Sequence, residues 1–444
     1  MGPMTASETA ELLARGRRAL PGGTVHTFSH RPRGFPAFMD TPDFVLERGE
    51  GAYLWTTDGD RLLDMVLGAG AVLLGHGHPA IVDAVTDQVA RVTNTFHISP
   101  QVIEAAEGVV AALPSADAVR FVNSGTEAML YALRLVRAHT GRDRIIKLEG
   151  AYHGCLDEVL FHSSFGSVED WSGDVPAPDT PGIPASYAQR VVIVPYNDID
   201  AMAETAAALH DEVAAIVIEP VMRGLAPLPG YLAAVREIAD RWELPLVFDE
   251  VITGFRLALG GAQEFYGVPA DLTVLGKGLG GGMPIGALAG TAEMMAWLDP
   301  AQPDGRRILA EGSYYGNPVS AAAAAATLRE LHRPGVYEQL HGTGNAIGDR
   351  LVAAFADRGL PLQITGVGPL VEFYVSDKPV LDYVTAQRTD QRAKIALANG
   401  MRARGVFGGG GRYNVSLAHG EPEIDLLIAA VERVLDEDLA ADRG

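Results

Sequence analysis

Cysteine is all but missing: Cys155 is the only one in 444 residues. No disulfide can close within such a chain, which excludes a disulfide-framed scaffold and fits a reducing compartment, so the cytoplasm is the expected location. Long apolar runs are missing too. No stretch reaches the roughly 18 apolar residues that a membrane helix needs, so no membrane partner is expected. The N-terminus, MGPMTASETAELLARGRRALPGG, contains acids and no apolar centre, so it reads as neither a signal peptide nor a membrane anchor. Basic tracts do not occur and the net charge is −21. Nucleic acid is therefore not an expected partner, and the acidity serves solubility. The P-loop, HExxH, GxSxG and CxxC patterns are absent. Gly276-Lys-Gly-Leu-Gly-Gly281 does satisfy G-x-G-x-x-G, but Met283-Pro284 and another short apolar segment follow where a dinucleotide site needs a long helix. The nicotinamide reading fails on that context.

What is present is an ordinary globular composition, 48% hydrophobic and 20% charged, ample for two or three structural units. The most informative stretch runs from Leu246 to Gly290. One apolar run, Leu246–Phe248, ends in Asp249; a second, Leu272–Leu275, ends in Gly276-Lys277. In open α/β sheets ligands sit off the carboxyl ends of strands, and the intervening chain is long enough for a crossover that returns beside its start. An aspartate and a lysine so delivered suggest pyridoxal phosphate, with the lysine for a Schiff base and the aspartate for the pyridine nitrogen. Taken singly, Asp249 reads equally as a helix cap or turn residue and Lys277 as a solvated charge.

A helix is expected over Ser7–Leu20, capped by Ser7 and stopped by Pro21-Gly22-Gly23. Residues 24–44 read as a long irregular loop of the kind that is often functional. Two short strands flank the Asp58-Gly59 turn, and a helix enters after Pro79. Val119–Val122 reads as a strand, 123–126 as a tight turn, and Thr126 onward as an amphipathic helix. Backbone N–H groups and hydroxyls at such a helix start suit a phosphate, although an ordinary Ser/Thr cap would look the same. RIIKLEGAYHG is a further strand ending at Tyr152-His153-Gly154, whose aromatic could stack on a ring or simply pack. Residues 163–186 read as a flap, and 191–198 and 214–221 as strands. Strand and helix thus alternate from 119 to 290, the pattern of a mainly parallel sheet with helices on both faces. Beyond 318 a long alanine-rich helix precedes strands at Leu362–Ile364, Leu370–Val375 and Val415–Leu417, with helices near 380–400 and 423–437, a smaller α+β unit.

Asn123-Ser-Gly-Thr-Glu-Ala128, Tyr152-His-Gly154, Asp249-Glu-Val-Ile-Thr-Gly-Phe-Arg256, Leu275-Gly-Lys277 with Gly280-Gly-Gly-Met-Pro284, and Gly316-Asn-Pro318 occur in that order. Together they resemble the class III aminotransferases of fold type I, and within them the branch of glutamate-1-semialdehyde 2,1-aminomutase. The likeness runs from about Pro21 to the end and is densest at 246–290. It implies a fold type I PLP-dependent transferase: a large, mainly parallel seven-stranded sheet domain and a smaller α+β domain built from both termini. We expect an N-terminal segment over 1–66, the cofactor domain over 67–320 and a C-terminal small domain over 321–444.

The resemblance also implies roles. Lys277 would form the Schiff base and carry the proton between the substrate Cα and the cofactor. Asp249 would pair with the protonated pyridine nitrogen. Val251 and Tyr152 would cover the two ring faces, and Ser124, Gly125 and Thr126 would hold the phosphate. His153 and Glu219 lie at family positions near the cofactor. Ser313 stands where the family usually has a threonine reaching the neighbouring subunit's phosphate, which implies a homodimer with shared sites. The substrate side departs from the aminomutase: Ser29 replaces its carboxylate-binding arginine, Ala69 its tryptophan, and a glycine near Gly411 its acid. That pattern favours an aminotransferase moving an amino group between an amine or amino acid and a keto or aldehyde acceptor, passing through pyridoxamine phosphate, on another, bulkier substrate, since loss of the tryptophan leaves room for an aromatic or ring-bearing group. Arg412, Arg223 and Arg33 are candidate carboxylate anchors, Arg412 first. The alternatives are an aminomutase, racemase or decarboxylase on another substrate, and a catalytically silent relative, against which Lys277 and Asp249 argue.

Overall fold

The computed structural model describes residues 3–25, 43–163, 176–302 and 305–439. The chain divides into two compact units: residues 79–337 with 381–384, and residues 1–78 with 338–380 and 385–444.

The larger unit is built on a seven-stranded sheet. In chain order its strands are β1 (Ala118–Val122), β2 (Arg144–Leu148), β3 (Val191–Val194), β4 (Val213–Ile218), β5 (Leu246–Asp249), β6 (Leu272–Leu275) and β7 (Gly286–Gly290). The spatial order is β1-β7-β6-β5-β4-β2-β3. Only β7 is reversed, pairing antiparallel with both β1 and β6, while the other neighbours pair in parallel. The seven-stranded, mainly parallel sheet that the family resemblance implied is therefore the one observed. Strands β4, β5 and β6 are buried along their whole length, as continuous apolar runs between helical layers must be.

The helix Gly125–Thr140 shows why these elements pack. It turns Ala128, Met129, Tyr131, Ala132, Leu133, Leu135 and Val136 inward, where they join Val217, Val247, Val274 and Leu288 of the sheet in one core cluster. Each large side chain so buried contributes roughly 1.5–3 kcal/mol. The helix Pro318–Leu331 is almost entirely buried through a run of alanines, and the helix is capped by Asn317, whose Oδ1 accepts from the Val319 and Ser320 N–H groups.

The smaller unit holds two short sheets. Leu46–Glu50, Tyr53–Thr56 and Arg61–Asp64 form an antiparallel meander, extended in parallel by Val406–Phe407. Leu362–Ile364, Leu370–Val375 and Arg412–Asn414 form the other. Two local expectations are corrected here. The first helix runs Ala6–Ala19 and is capped by Thr5, not Ser7: Thr5 and Glu8 close a reciprocal capping box. The last strand is Arg412–Asn414, not Val415–Leu417, because the pairing with Leu370–Glu372 is set at Arg412. Among the described residues no helix is long and apolar enough to cross a membrane.

Candidate active site

Strands β5 and β6 lie side by side in parallel, with Asp249 paired to Val274. The Glu250 N–H donates to the Val274 carbonyl at 2.8 Å, so the ladder continues just past Asp249. Lys277 follows Val274 by three residues, at a backbone φ of 40° that few side-chain-bearing residues adopt. Both residues thus leave the sheet at neighbouring carboxyl ends. Asp249 is 6% exposed. Its Oδ1 accepts from the Val251 N–H at 3.1 Å, and its Oδ2 stands 2.8 Å from His153 Nδ1.

The phosphate-type turn reaches the same place. A Cβ on Gly125 would stand 2.6 Å from Val251 Cγ2, and one on Gly276 3.4 Å from Val251 Cγ1 and 3.6 Å from the Gly125 nitrogen. The helix start, the valine after the aspartate and the residue before the lysine therefore converge, and glycine at 125 is what permits it. Ser124 caps the helix, its Oγ accepting from the Glu127 N–H at 3.2 Å. First-turn N–H groups have no carbonyl partner inside a helix, an arrangement that suits an anion. Thr126 Oγ1 accepts from the Cys155 N–H at 3.3 Å and still has its own proton to donate.

The segment carrying Tyr152 and His153 is fastened from several sides. Glu219, 3% exposed, accepts from the Tyr152 N–H at 2.8 Å and from the Arg223 N–H at 3.4 Å. The Tyr152 hydroxyl contacts Cys155 Sγ at 3.1 Å, and the Arg223 guanidinium lies 5.9 Å from the Tyr152 ring centroid. Burial, then the cysteine contact, pushes the Tyr152 phenol well above its ordinary value, so it stays protonated. Sequence reasoning missed Lys147, on β2 and 0% exposed. Its Nζ donates to the Ala151 carbonyl at 3.1 Å and the Phe161 carbonyl at 2.7 Å, clasping both ends of the segment. Burial lowers its pKa to about 8, against the pull of Asp179, Glu219 and Glu149. A lysine interrupting the apolar run RIIKL was the available signal, since lysine is almost never fully buried without partners. Glu250 was missed as well: burial raises its pKa although Thr253, Ala262 and Gln263 all donate to it, and it fastens the start of the helix Gly261–Tyr266.

Ser313 lies on an exposed turn, its carbonyl accepting from Asn94 Nδ2 at 3.0 Å. In the smaller unit, Ala69 belongs to a left-handed turn: Leu67, Gly68, Ala69 and Gly70 have φ of 51°, 59°, 59° and 87°. Asp64 Oδ1 holds this turn by accepting from the Val66 and Leu67 N–H groups at 2.8 and 2.9 Å, while His76 Nε2 stands 2.8 Å from Asp64 Oδ2. Consecutive left-handed residues cost energy, and such strain concentrates at functional sites. Arg412 already has a carboxylate partner, its Nε donating to Glu372 at 2.6 Å. Ser29 and Arg33 lie outside the described residues, as do 26–42 and the 164–175 part of the expected flap.

A phosphorylated pyridine aldehyde fits the larger unit's donor set. The buried Asp249 carboxylate has one bond on each oxygen and lone pairs left for a ring N–H. An amine follows at the next strand end, and the adjacent helix starts at Gly125 behind its Ser124 cap. The sheet order with its single reversed strand, and this arrangement at its carboxyl edge, define a PLP-dependent transferase of fold type I. The profile described as aminotransferase class-III matches residues 37–407, and the chain belongs to that family, with pyridoxal 5′-phosphate as its cofactor. It is 39% identical to a glutamate-1-semialdehyde 2,1-aminomutase of Methanopyrus kandleri over 97% of both chains. Among solved structures it is similar to an omega-transaminase from Sphaerobacter thermophilus, at 34% identity, TM-score 0.89 and 98% coverage of each chain. It is also similar to a beta-phenylalanine aminotransferase from Variovorax paradoxus, at 29% identity, TM-score 0.85, and 98% and 95% coverage.

Proposed function

We propose that this chain is an aminotransferase, moving an amino group from an amine or amino-acid donor to a keto or aldehyde acceptor. The observation that carries amino-group chemistry is the delivery of Asp249 and Lys277 at neighbouring carboxyl ends of β5 and β6. When bound, the cofactor supplies an aldehyde that captures the amino group and a protonated pyridine that accepts electron density from the substrate Cα. Lys277 is the amine that would hold the cofactor and, when free of it, would serve as the base and acid that moves the substrate Cα proton. Asp249 keeps the proton on the pyridine nitrogen through a charge-assisted hydrogen bond. Val251 and Tyr152 would cover the ring faces, Ser124, Gly125 and Thr126 would hold the phosphate, and Glu219 fixes the backbone at Tyr152.

The second reading, an aminomutase, has its own support: the curated relatives of 36–39% identity carry that name, which weighs more for it than for plain transamination. Against it stand Ser29, Ala69 and Gly411 in place of substrate-side groups of that branch. Ala69 is an exposed residue of the turn 67–70. A nitrogen-15 donor separates the two readings. Transamination delivers the label to a second, separately added acceptor and releases a keto product. Retention of the label within a single rearranged molecule, with no free keto product, would overturn it.

A cytoplasmic homodimer completes the reading. Phe96, Ile98 and Tyr314 are 83%, 78% and 61% exposed, and their loops are tied together by Asn94 to Ser313 and by Asn317 Nδ2 to the Thr93 carbonyl at 2.8 Å. Apolar groups so displayed beside Ser313 suit a second copy of the chain.

A further inference from the structure

We infer that Lys147 is a positioning residue for the cofactor: it sets the Tyr152 ring by holding one end of the peptide group between Ala151 and Tyr152, whose other end Glu219 holds. The inference rests on Tyr152 covering a face of the cofactor ring. That peptide group is one rigid plane with its carbonyl and its N–H pointing in opposite directions. The carbonyl, on Ala151, accepts from Lys147 Nζ at 3.1 Å, and the N–H, on Tyr152, donates to Glu219 Oε1 at 2.8 Å. Lys147 is 0% and Glu219 3% exposed. A buried ammonium thus grips one end of the plane and a buried carboxylate the other, each through a charge-assisted bond. With both ends held, ψ of Ala151 and φ of Tyr152 are fixed, and with them the backbone from which the Tyr152 ring departs.

The second bond of Lys147 closes the loop that carries this ring. Nζ also donates to the Phe161 carbonyl at 2.7 Å, where the chain returns. Beside it the Gly150 N–H donates to the His162 carbonyl at 2.7 Å, and the Ser163 N–H donates to both carboxylate oxygens of Asp179 at 3.1 Å. Residues 151–161 therefore form a loop with a narrow neck, and Lys147 is the cation inside that neck. Burial opposes its charge, while Asp179, Glu219 and Glu149 sustain it. An apolar side chain would fill the same space but take a donor from two carbonyls on buried residues, one of them the handle on Tyr152.

The test compares Lys147→Met, which fills the space and donates nothing, with Asp179→Asn, which keeps an acceptor for the Ser163 N–H and removes one charge that sustains Lys147. Each is made in the wild-type and in the Tyr152→Ala background. Readouts are the pyridoxal phosphate dissociation constant, the circular dichroism induced in the cofactor's absorption band, and the melting temperature of the cofactor-free protein. Lys147→Met should weaken cofactor binding roughly 3- to 10-fold, the worth of one aromatic stacking contact, and diminish the induced signal. Asp179→Asn should do the same to a smaller degree, and it carries the test if Lys147→Met does not fold. In the Tyr152→Ala background neither should cost further affinity, because the effect passes through that ring. A lowered melting temperature with unchanged affinity and induced signal would show a lysine that only closes its loop and would overturn the inference. Losses that add to that of Tyr152→Ala would overturn it too. If Tyr152→Ala itself changed neither affinity nor signal, the reading of Tyr152 would fail, and the inference with it.

Discussion

Glu149 lies just past the end of β2, 2% exposed, two residues from Lys147. Burial, reinforced by Asp382 and opposed by Lys147, pushes its carboxyl from 4.5 up to about 7. A raised carboxyl binds its proton more tightly in the folded state. Below about pH 4.5 both states carry that proton and nothing is lost. Between 4.5 and 7 the native state retains a proton that the unfolded chain has released, so stability declines as pH rises, and above 7 the full penalty stands. At about 1.4 kcal/mol per pKa unit the penalty is on the order of 3 kcal/mol. Glu149→Gln keeps the shape and removes the charge. It should stabilise the protein near pH 8 by somewhat less than that, because Lys147 loses one attractive neighbour, and the gain should shrink to nothing toward pH 4.5. Denaturant midpoints of the cofactor-free protein at fixed protein concentration, taken across this range, read the difference directly. A gain independent of pH, or a loss at pH 8, would refute the reasoning and show that the attraction between Glu149 and Lys147 outweighs the cost of burial.

Lys277→Ala should abolish the covalent hold on the cofactor, so that borohydride treatment adds no cofactor mass to the protein. Turnover should fall by at least roughly 10²–10⁴, the usual worth of a positioned proton-transfer group. Gly286→Ala places a Cβ against the Ser124 carbonyl and 3.0 Å from the Gly125 nitrogen; equilibrium dialysis should show cofactor affinity down by more than about tenfold, roughly 1.4 kcal/mol, and unchanged affinity would remove the phosphate role from that turn. Phe96→Asp puts a charge on the proposed dimer face; sedimentation should show a monomer, and an intact dimer would place the interface elsewhere.

The cofactor side was legible because strand ends are simple consequences of local patterning. Apolar runs closing on Asp249 and on Gly276-Lys277, and a strand entering a serine-capped helix at 124, are written in contiguous residues. The alternation of elements gave the parallel sheet, but the reversal of β7 could not be read from Gly286–Gly290 itself, since a five-residue apolar strand carries no direction. Thr5-x-x-Glu8 did spell out its capping box, yet Ser7 drew the cap because it sits nearer the apolar periodicity. Val415-Ser-Leu417 alternates as a strand does, but the cross-strand pair of Arg412 with Glu372 fixes the register three residues earlier, and Ser416 turns instead to His419.

What stayed hidden shares one property: it depends at least in part on partners distant in sequence. His153 finds Asp249 across 96 residues, and Lys147 finds two carbonyls on a loop rather than a side chain. Neither pairing leaves a pattern in the chain, only an anomaly, a charged or titratable residue where burial is expected. The left-handed turn at 67–70 is the same case in backbone form. Gly68 and Gly70 permit it, but Leu67 and Ala69 take it only because Asp64 and Asn414, far apart in the chain, hold the Val66 and Leu67 amides and the Val66 carbonyl. The cofactor therefore reads out from motifs, because the residues proposed to hold it sit at strand ends and a helix start. Ala69 sits on a turn held by side chains outside it, so its replacement leaves no pattern in the surrounding chain.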